Sequence, residues 1–265
     1  MPKVKVKDIN LNYESFGEDF PLIMILGLES NIDWWGRSLL RKISNHFRVI
    51  VFDNRGTGRS DAPDIKFTLK TLIEDTVGLM DVLNIEQAHV FGHSMGGRIA
   101  QGVVLNYPKR VKKLIICSSS CGESKLIPAS PEVIHIVRKP RENQSPEEAA
   151  KNMLSIFYTK EFLKKNPKIV EIAIQNMTKV KTSPKSYNQQ LEAIATYDVC
   201  ERLKKINTET CVMHGKKDQL VPPQNGEVLA KLIPNAKLVL FKNSGHVPFV
   251  EEREKFIKSL IDFFK

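Results

Sequence analysis

The sequence predicts an α/β fold on a doubly wound, mostly parallel sheet, and three observations carry that expectation. Short, continuous apolar runs recur along the 265 residues, beginning with Leu22-Ile23-Met24-Ile25-Leu26, as in strands buried on both faces of a parallel sheet. Amphipathic stretches with helical spacing separate them. At Gly92-His93-Ser94-Met95-Gly96-Gly97 an apolar run turns sharply into a helical period, through a serine with glycines two residues to either side.

Taken in order, residues 3–16 read as two strands, closed by Gly17-Glu18 and Pro21. The run to Leu26 ends in the loop Gly27-Leu28-Glu29-Ser30-Asn31. A helix is expected from Trp34-Trp35 to about Ser44, then a strand Arg48-Val49-Ile50-Val51-Phe52. Thr68 is placed to cap a helix whose apolar positions are Leu69, Leu72, Ile73, Val77, Met80 and Leu83. The strand ending at Phe91 leads into the serine turn and a helix to about Asn106, which Pro108 helps to stop. Val111–Cys117, Thr210–His214 and Lys237–Phe241 complete the strands, with helices over about Pro223–Leu232 and Glu251–Phe264.

The alternation breaks between residues 122 and 198. No strand pattern occurs there, and helical stretches are punctuated by Pro128, Pro131, Pro140, Pro146, Pro167 and Pro184. Ser145-Pro146-Glu147-Glu148 is a helix start, with Ser145 as cap and Pro146 at the first helical position. The expectation is a core of residues 1–121 and 199–265, with 122–198 as a helical cap over the strand ends.

Composition narrows the function classes. The chain is 42% hydrophobic and 26% charged, as in globular domains and unlike disordered chains. No apolar run approaches the roughly 20 residues that span a bilayer, and the N-terminus lacks a signal peptide's apolar core, so a cytoplasmic protein is expected. The net charge of +10 comes from lysines and arginines spread along the chain. No basic run is interleaved with aromatics, so nucleic acid is not expected as a partner. Cys117, Cys121, Cys200 and Cys211 form no metal-ligand spacing and read as buried free thiols, with a Cys117–Cys121 or Cys117–Cys211 bridge left open. A monomer or homodimer acting on a small molecule, without metal or cofactor, fits these totals.

The chemistry follows from what ends the strands. Ligands of such sheets bind at the carboxyl ends of the strands. Ser94, Asp218 and His246 all fall there, in the order serine, acid, histidine. A serine hydroxyl is a weak nucleophile until a base takes its proton. Neutral imidazole is such a base near pH 7, and a carboxylate fixes its tautomer and stabilises the cation. The N–H of Met95, after the serine, is placed to hold a developing oxyanion. Asp53 ends a strand too, within Asp53-Asn54-Arg55-Gly56-Thr57-Gly58-Arg59-Ser60, and reads as architectural. His93 is expected to pack beside Ser94, while His46, His89, His135 and His214 read as surface or core histidines.

Four segments together resemble the α/β-hydrolase superfamily over nearly the whole chain. They are Phe52–Ser60, Gly92–Gly97, Met213-His214-Gly215-Lys216-Lys217-Asp218-Gln219-Leu220-Val221-Pro222, and Asn243-Ser244-Gly245-His246-Val247-Pro248. The resemblance implies a capped, carboxylesterase-like serine hydrolase with Ser94 as nucleophile, His246 as base and Asp218 as its orienting acid. It implies a second oxyanion donor in the Leu28 N–H, although the family usually carries His-Gly where this chain has Leu26-Gly27. A serine at position 94 argues against haloalkane dehalogenase and epoxide hydrolase chemistry, in which the family places aspartate there. Carboxylesterase action on small or medium acyl esters is the expected activity. C–C bond hydrolase, lactonase and perhydrolase chemistry, or a slow-turnover ligand receptor of the same fold, stay open. Trp34, Trp35, Ile127, Phe157, Val221 and Val247 are the expected substrate contacts.

Overall fold

A computed structural model describes residues 2–265. Eight strands form one sheet in the order β1-β2-β4-β3-β5-β6-β7-β8. They are β1 (Lys3–Val6), β2 (Ile9–Phe16), β3 (Pro21–Ile25), β4 (Arg48–Phe52), β5 (Ala88–His93), β6 (Val111–Cys117), β7 (Thr210–Gly215) and β8 (Lys237–Phe241). β1 and β2 form an antiparallel edge, β2 runs antiparallel to β4, and every pair from β4 to β8 is parallel.

Alternation within each strand explains the continuous apolar runs. Successive side chains point to opposite faces, and here both faces are covered. Leu22 and Met24 of β3, with Val49 and Val51 of β4, pack into one core; Ile23, Ile25, Ile50 and Phe52 pack into the other. The second of these cores is closed by α2 (Leu69–Val82), α3 (Met95–Asn106) and α9 (Gln224–Leu232). The first is closed by α1 (Arg37–Ser44), α10 (Pro248–Glu251) and α11 (Arg253–Phe264).

Between β6 and β7 lie α4 (Pro131–Arg138), α5 (Pro146–Phe157), α6 (Lys160–Lys165), α7 (Pro167–Lys179) and α8 (Pro184–Ala195), with short 3₁₀ turns. α5 begins with a capping box: the Glu148 N–H donates to the Ser145 hydroxyl, and the Ser145 N–H donates to the Glu148 carboxylate. α2 starts on Thr68 with its own box through Thr71. Among the described residues no helix is long and apolar enough to cross a membrane.

Two expected helices are divided. The one foreseen from Trp34 to Ser44 is a 3₁₀ turn, Ile32–Trp35, and then α1, separated by Gly36 at φ 73°. That left-handed backbone suits glycine and ends the first turn. The last helix divides at Glu252, whose backbone (φ −120°, ψ 49°) leaves the helical region. Its carboxylate accepts instead from the Asn243 N–H and the Ser244 hydroxyl, at 2.8 and 3.0 Å.

The cysteine expectation is corrected. Cys121 and Cys200 are joined in a disulfide, while Cys117 and Cys211 are buried free thiols. The bonded pair lies 79 residues apart, at the two ends of the helical stretch. The Val199 N–H donates to the Cys121 carbonyl at 2.9 Å and lays the two stems side by side. Titration of the unfolded, unreduced protein with a thiol reagent should therefore find two thiols, and four after reduction. Finding four beforehand would contradict this pairing. Reduction should also lower stability by about 2–4 kcal/mol, the usual gain from closing a long loop.

Candidate active site

β5 ends at His93, and the chain reverses at Ser94 with φ 57° and ψ −122° before α3 starts at Met95. A non-glycine residue rarely takes such angles; holding it there costs of order 1–3 kcal/mol. Three hydrogen bonds offset the strain. The Ser94 N–H donates to the Cys117 carbonyl at 2.9 Å, while the Ser94 carbonyl accepts from the Gly97 N–H at 2.9 Å and the Ser119 hydroxyl at 2.7 Å. The turn closes only because Cβ atoms are missing. One at Gly96 would run into the Ile25 carbonyl, and one at Gly92 into the Gly96 carbonyl.

His246 follows β8 and is 1% exposed. Its Nδ1–H donates to Asp218 Oδ2 at 2.8 Å, which leaves Nε2 as the unprotonated, accepting nitrogen. Its backbone is gripped at both ends. The His246 N–H donates to the Phe157 carbonyl at 2.7 Å, and its carbonyl accepts from His93 Nε2–H at 2.9 Å. Asp218 Oδ1 accepts from the Leu220 and Val221 N–H groups, each at 2.9 Å. Burial acts to raise the Asp218 carboxyl, but His246 and His214 beside it hold it well below the ordinary carboxylate range.

Ser94, His246, Leu28 and Met95 line one cavity of about 470 Å³. The Leu28 N–H has no hydrogen-bond partner among the described residues. The neighbouring Gly27 backbone lies so near Ser94 that a Cβ there would come within 2.8 Å of the serine Cβ. Met95 opens α3, where the first N–H groups of a helix are unpaired and carry positive potential.

The remaining expected contacts divide. Trp34, Trp35, Phe157, Val221 and Val247 all line the cavity, and the Phe157 ring stacks on His246 at 5.4 Å. Ile127 does not. Its N–H and C=O are both taken by the Asn225 side chain, at 3.0 and 2.8 Å, and the neighbouring Leu126 faces the cavity in its place. Asp53 is wholly buried and accepts from the Ile32 N–H, the Arg59 N–H and Asn12 Nδ2, as an architectural residue does.

Sequence reasoning passed over two features. His214, read as a surface or core histidine, is a buried core one; it donates Nε2–H to the Val221 carbonyl at 2.8 Å and also lies 3.2 Å from Asp218 Oδ2, so a second imidazole faces the same carboxylate. α7 supplies a wall through Ile169, Ile172, Ala173, Asn176 and Met177. Their spacing of three and four residues is a helical stripe, and it was the available signal. Ile169 and Ile172 are 39% and 55% exposed, at the outer part of that wall.

His93 yields a test in solution. Burial, followed by the charge of neighbouring His246, lowers its imidazole to about 3, whereas in the unfolded chain it titrates near 6.5. A histidine depressed in the folded state contributes stability above its unfolded value and loses it as pH falls. Unfolding free energy should thus drop by about 1.4 kcal/mol per pH unit from this residue between roughly pH 6.5 and 3. Denaturant titrations from pH 7 to 4 should show a slope that His93→Asn reduces by this amount, while His89, lowered to about 4 by burial and the nearby Lys113, adds the same share in both proteins. An unchanged slope in the variant would contradict the buried neutral imidazole.

With this geometry in view, similarity to known proteins can be read. The family model described as the α/β-hydrolase fold matches residues 21–253. The putative carbamate hydrolase RutD of Pseudomonas savastanoi pv. phaseolicola is 26% identical over 249 residues, covering 92% of this chain and 94% of that protein. The 3-oxoadipate enol-lactonase 2 of Acinetobacter baylyi is 28% identical over 254 residues, covering 94% and 91%. Among solved structures, the enol-lactonase from Burkholderia xenovorans LB400 superposes with a TM-score of 0.87 at 24% identity, covering 99% of both chains. The match across most of the chain, on the sheet order described above, places this protein in the α/β-hydrolase fold family.

Proposed function

We propose that this chain is a serine hydrolase that cleaves small or medium carboxylic esters through an acyl-enzyme. The observation that carries the reading is the hydrogen bond from His246 Nδ1–H to buried Asp218, with His246 and Ser94 facing one mainly apolar cavity.

The steps of this reading use the residues that line the cavity. His246 Nε2 takes the Ser94 proton as the hydroxyl oxygen adds to the substrate carbonyl carbon. The carbonyl oxygen gains negative charge, and the Met95 and Leu28 N–H groups hold it. The imidazolium formed is stabilised by Asp218, whose carboxylate stays ionised. Collapse of the tetrahedral species breaks the ester C–O bond, and His246 returns the proton to the departing alkoxide. Water repeats the sequence on the acyl-enzyme, which releases the acid and frees Ser94. A cavity of about 470 Å³ suits a ligand of small or medium size.

In this reading residues 122–198 are a cap that sets acyl preference, because Phe157 and the α7 residues Ile169, Ile172, Ala173, Asn176 and Met177 line the same cavity as Ser94. A second reading, hydrolysis of lactones, is favoured by the 28% identity with an enol-lactonase over most of both chains. It uses the same steps, except that the leaving alkoxide stays attached to the acyl group.

Nitrophenyl esters of two to eight acyl carbons, assayed beside simple lactones, test both readings. Wild type should turn over at least one class, and Ser94→Ala should lose about 10⁴-fold or more in kcat/KM. Turnover that survives in Ser94→Ala would remove the mechanism. Trace turnover of every substrate by wild type would favour a ligand receptor of this fold.

A further inference from the structure

The loop that bears the Leu28 N–H is held from two sides, and one of them is the cap. On the core side, Asn54 Nδ2 donates to the Leu26 carbonyl at 3.1 Å, and Asp53 takes the Ile32 N–H at 2.7 Å. Between those anchors, Glu29 follows Leu28 directly and stands at φ 64°, a left-handed conformation strained for glutamate. All three of its polar handles are held by cap residues. Its N–H donates to Gln190 Oε1 at 2.8 Å, its carbonyl accepts from the Thr182 hydroxyl at 3.2 Å, and its carboxylate accepts from Arg141 Nη2 at 2.8 Å.

These partners are themselves built in. Gln190 is fully buried on α8. The Arg141 guanidinium stacks 4.1 Å from the Tyr187 ring centre, and the Tyr187 hydroxyl donates to the Val137 carbonyl. The Arg141 side chain is 7% exposed and that of Glu29 is 19% exposed, so the pair is screened from water. A loop that needed only to cover the core would not require a strained residue tied to three separate parts of the cap. An oxyanion donor does require it, because its effect depends on sub-ångström placement.

We propose that Glu29 is a positioning residue through which the cap, by Arg141, Thr182 and Gln190, sets the Leu28 N–H in the oxyanion hole. The inference rests on the serine hydrolase reading above. It gives the cap a role in transition-state stabilisation in addition to shaping the pocket, and it accounts for how the loop is held in a chain with Leu26-Gly27 in place of the family's usual His-Gly.

The test compares a trifluoromethyl ketone, which adds to the nucleophilic serine and forms an oxyanion, with its carbinol, which fills the cavity without reacting. In Glu29→Gln and in Arg141→Met, kcat/KM and ketone affinity should fall in parallel by about 10- to 100-fold. Carbinol affinity should stay within about twofold of wild type, and the double variant should lose no more than the worse single. Thr182→Val, a milder change at the Glu29 carbonyl, should show the same pattern in smaller degree and serves if Arg141→Met folds poorly. Ketone affinity unchanged in Glu29→Gln and Thr182→Val would overturn the proposal. So would carbinol and ketone affinities falling by one common factor, which would make Glu29 only a brace for the pocket roof. Ser94→Ala is the separate control on the underlying reading: ketone affinity or ester turnover retained there would remove the oxyanion chemistry itself, whatever Glu29 does.

Discussion

Three backbone segments approach one another more closely than residues with side chains allow. The end of β5, the first turn of α3 and the loop after β3 meet where Gly92, Gly96 and Gly27 lack Cβ atoms. Everything proposed for the site depends on that approach. It lets Ser94 turn out of the sheet at φ 57°, it brings the loop bearing Leu28 against the serine, and it starts α3 beneath the same point. A methyl group at Gly96 would push the Ile25 carbonyl away and open all three relations together.

Around that contact, two residues are held in the same manner. His246 is fixed at its N–H by the Phe157 carbonyl, at its C=O by His93 and at Nδ1 by Asp218. Glu29 is fixed at its N–H, C=O and carboxylate by Gln190, Thr182 and Arg141. In both, the helical stretch between β6 and β7 supplies at least one of the three ties. The disulfide between Cys121 and Cys200 closes that stretch at its base. Removing a partner from either residue leaves a buried polar group unsatisfied, which is costlier than the bond itself was worth.

Signals that are local in sequence were readable, and those that join distant residues were not. Strand runs and amphipathic helices repeat within a few residues, so β1 to β8 and α2, α3 and α9 stand where periodicity puts them. Ser94, Asp218 and His246 stood out as candidates because each follows the end of a strand, and a parallel sheet brings strand ends together without further information. The breaks at Gly36 and Glu252 depend on one backbone angle and one side-chain contact, which a period does not record. Ile127 and Leu126 differ by one position in an irregular loop, where no repeat tells which faces inward. Nothing local in the sequence marked Glu29, because its partners lie 112, 153 and 161 residues away. The Cys121–Cys200 bond spans 79 residues for the same reason.

The central claim is that the strained turn makes Ser94 a nucleophile. Labelling with a fluorophosphonate, followed by peptide mapping, tests it most directly. One covalent adduct should form on Ser94, disappear in Ser94→Ala, and form far more slowly in His246→Ala, where no base takes the proton. An adduct on another cavity serine such as Ser119, or labelling at Ser94 that ignores the loss of His246, would contradict the account.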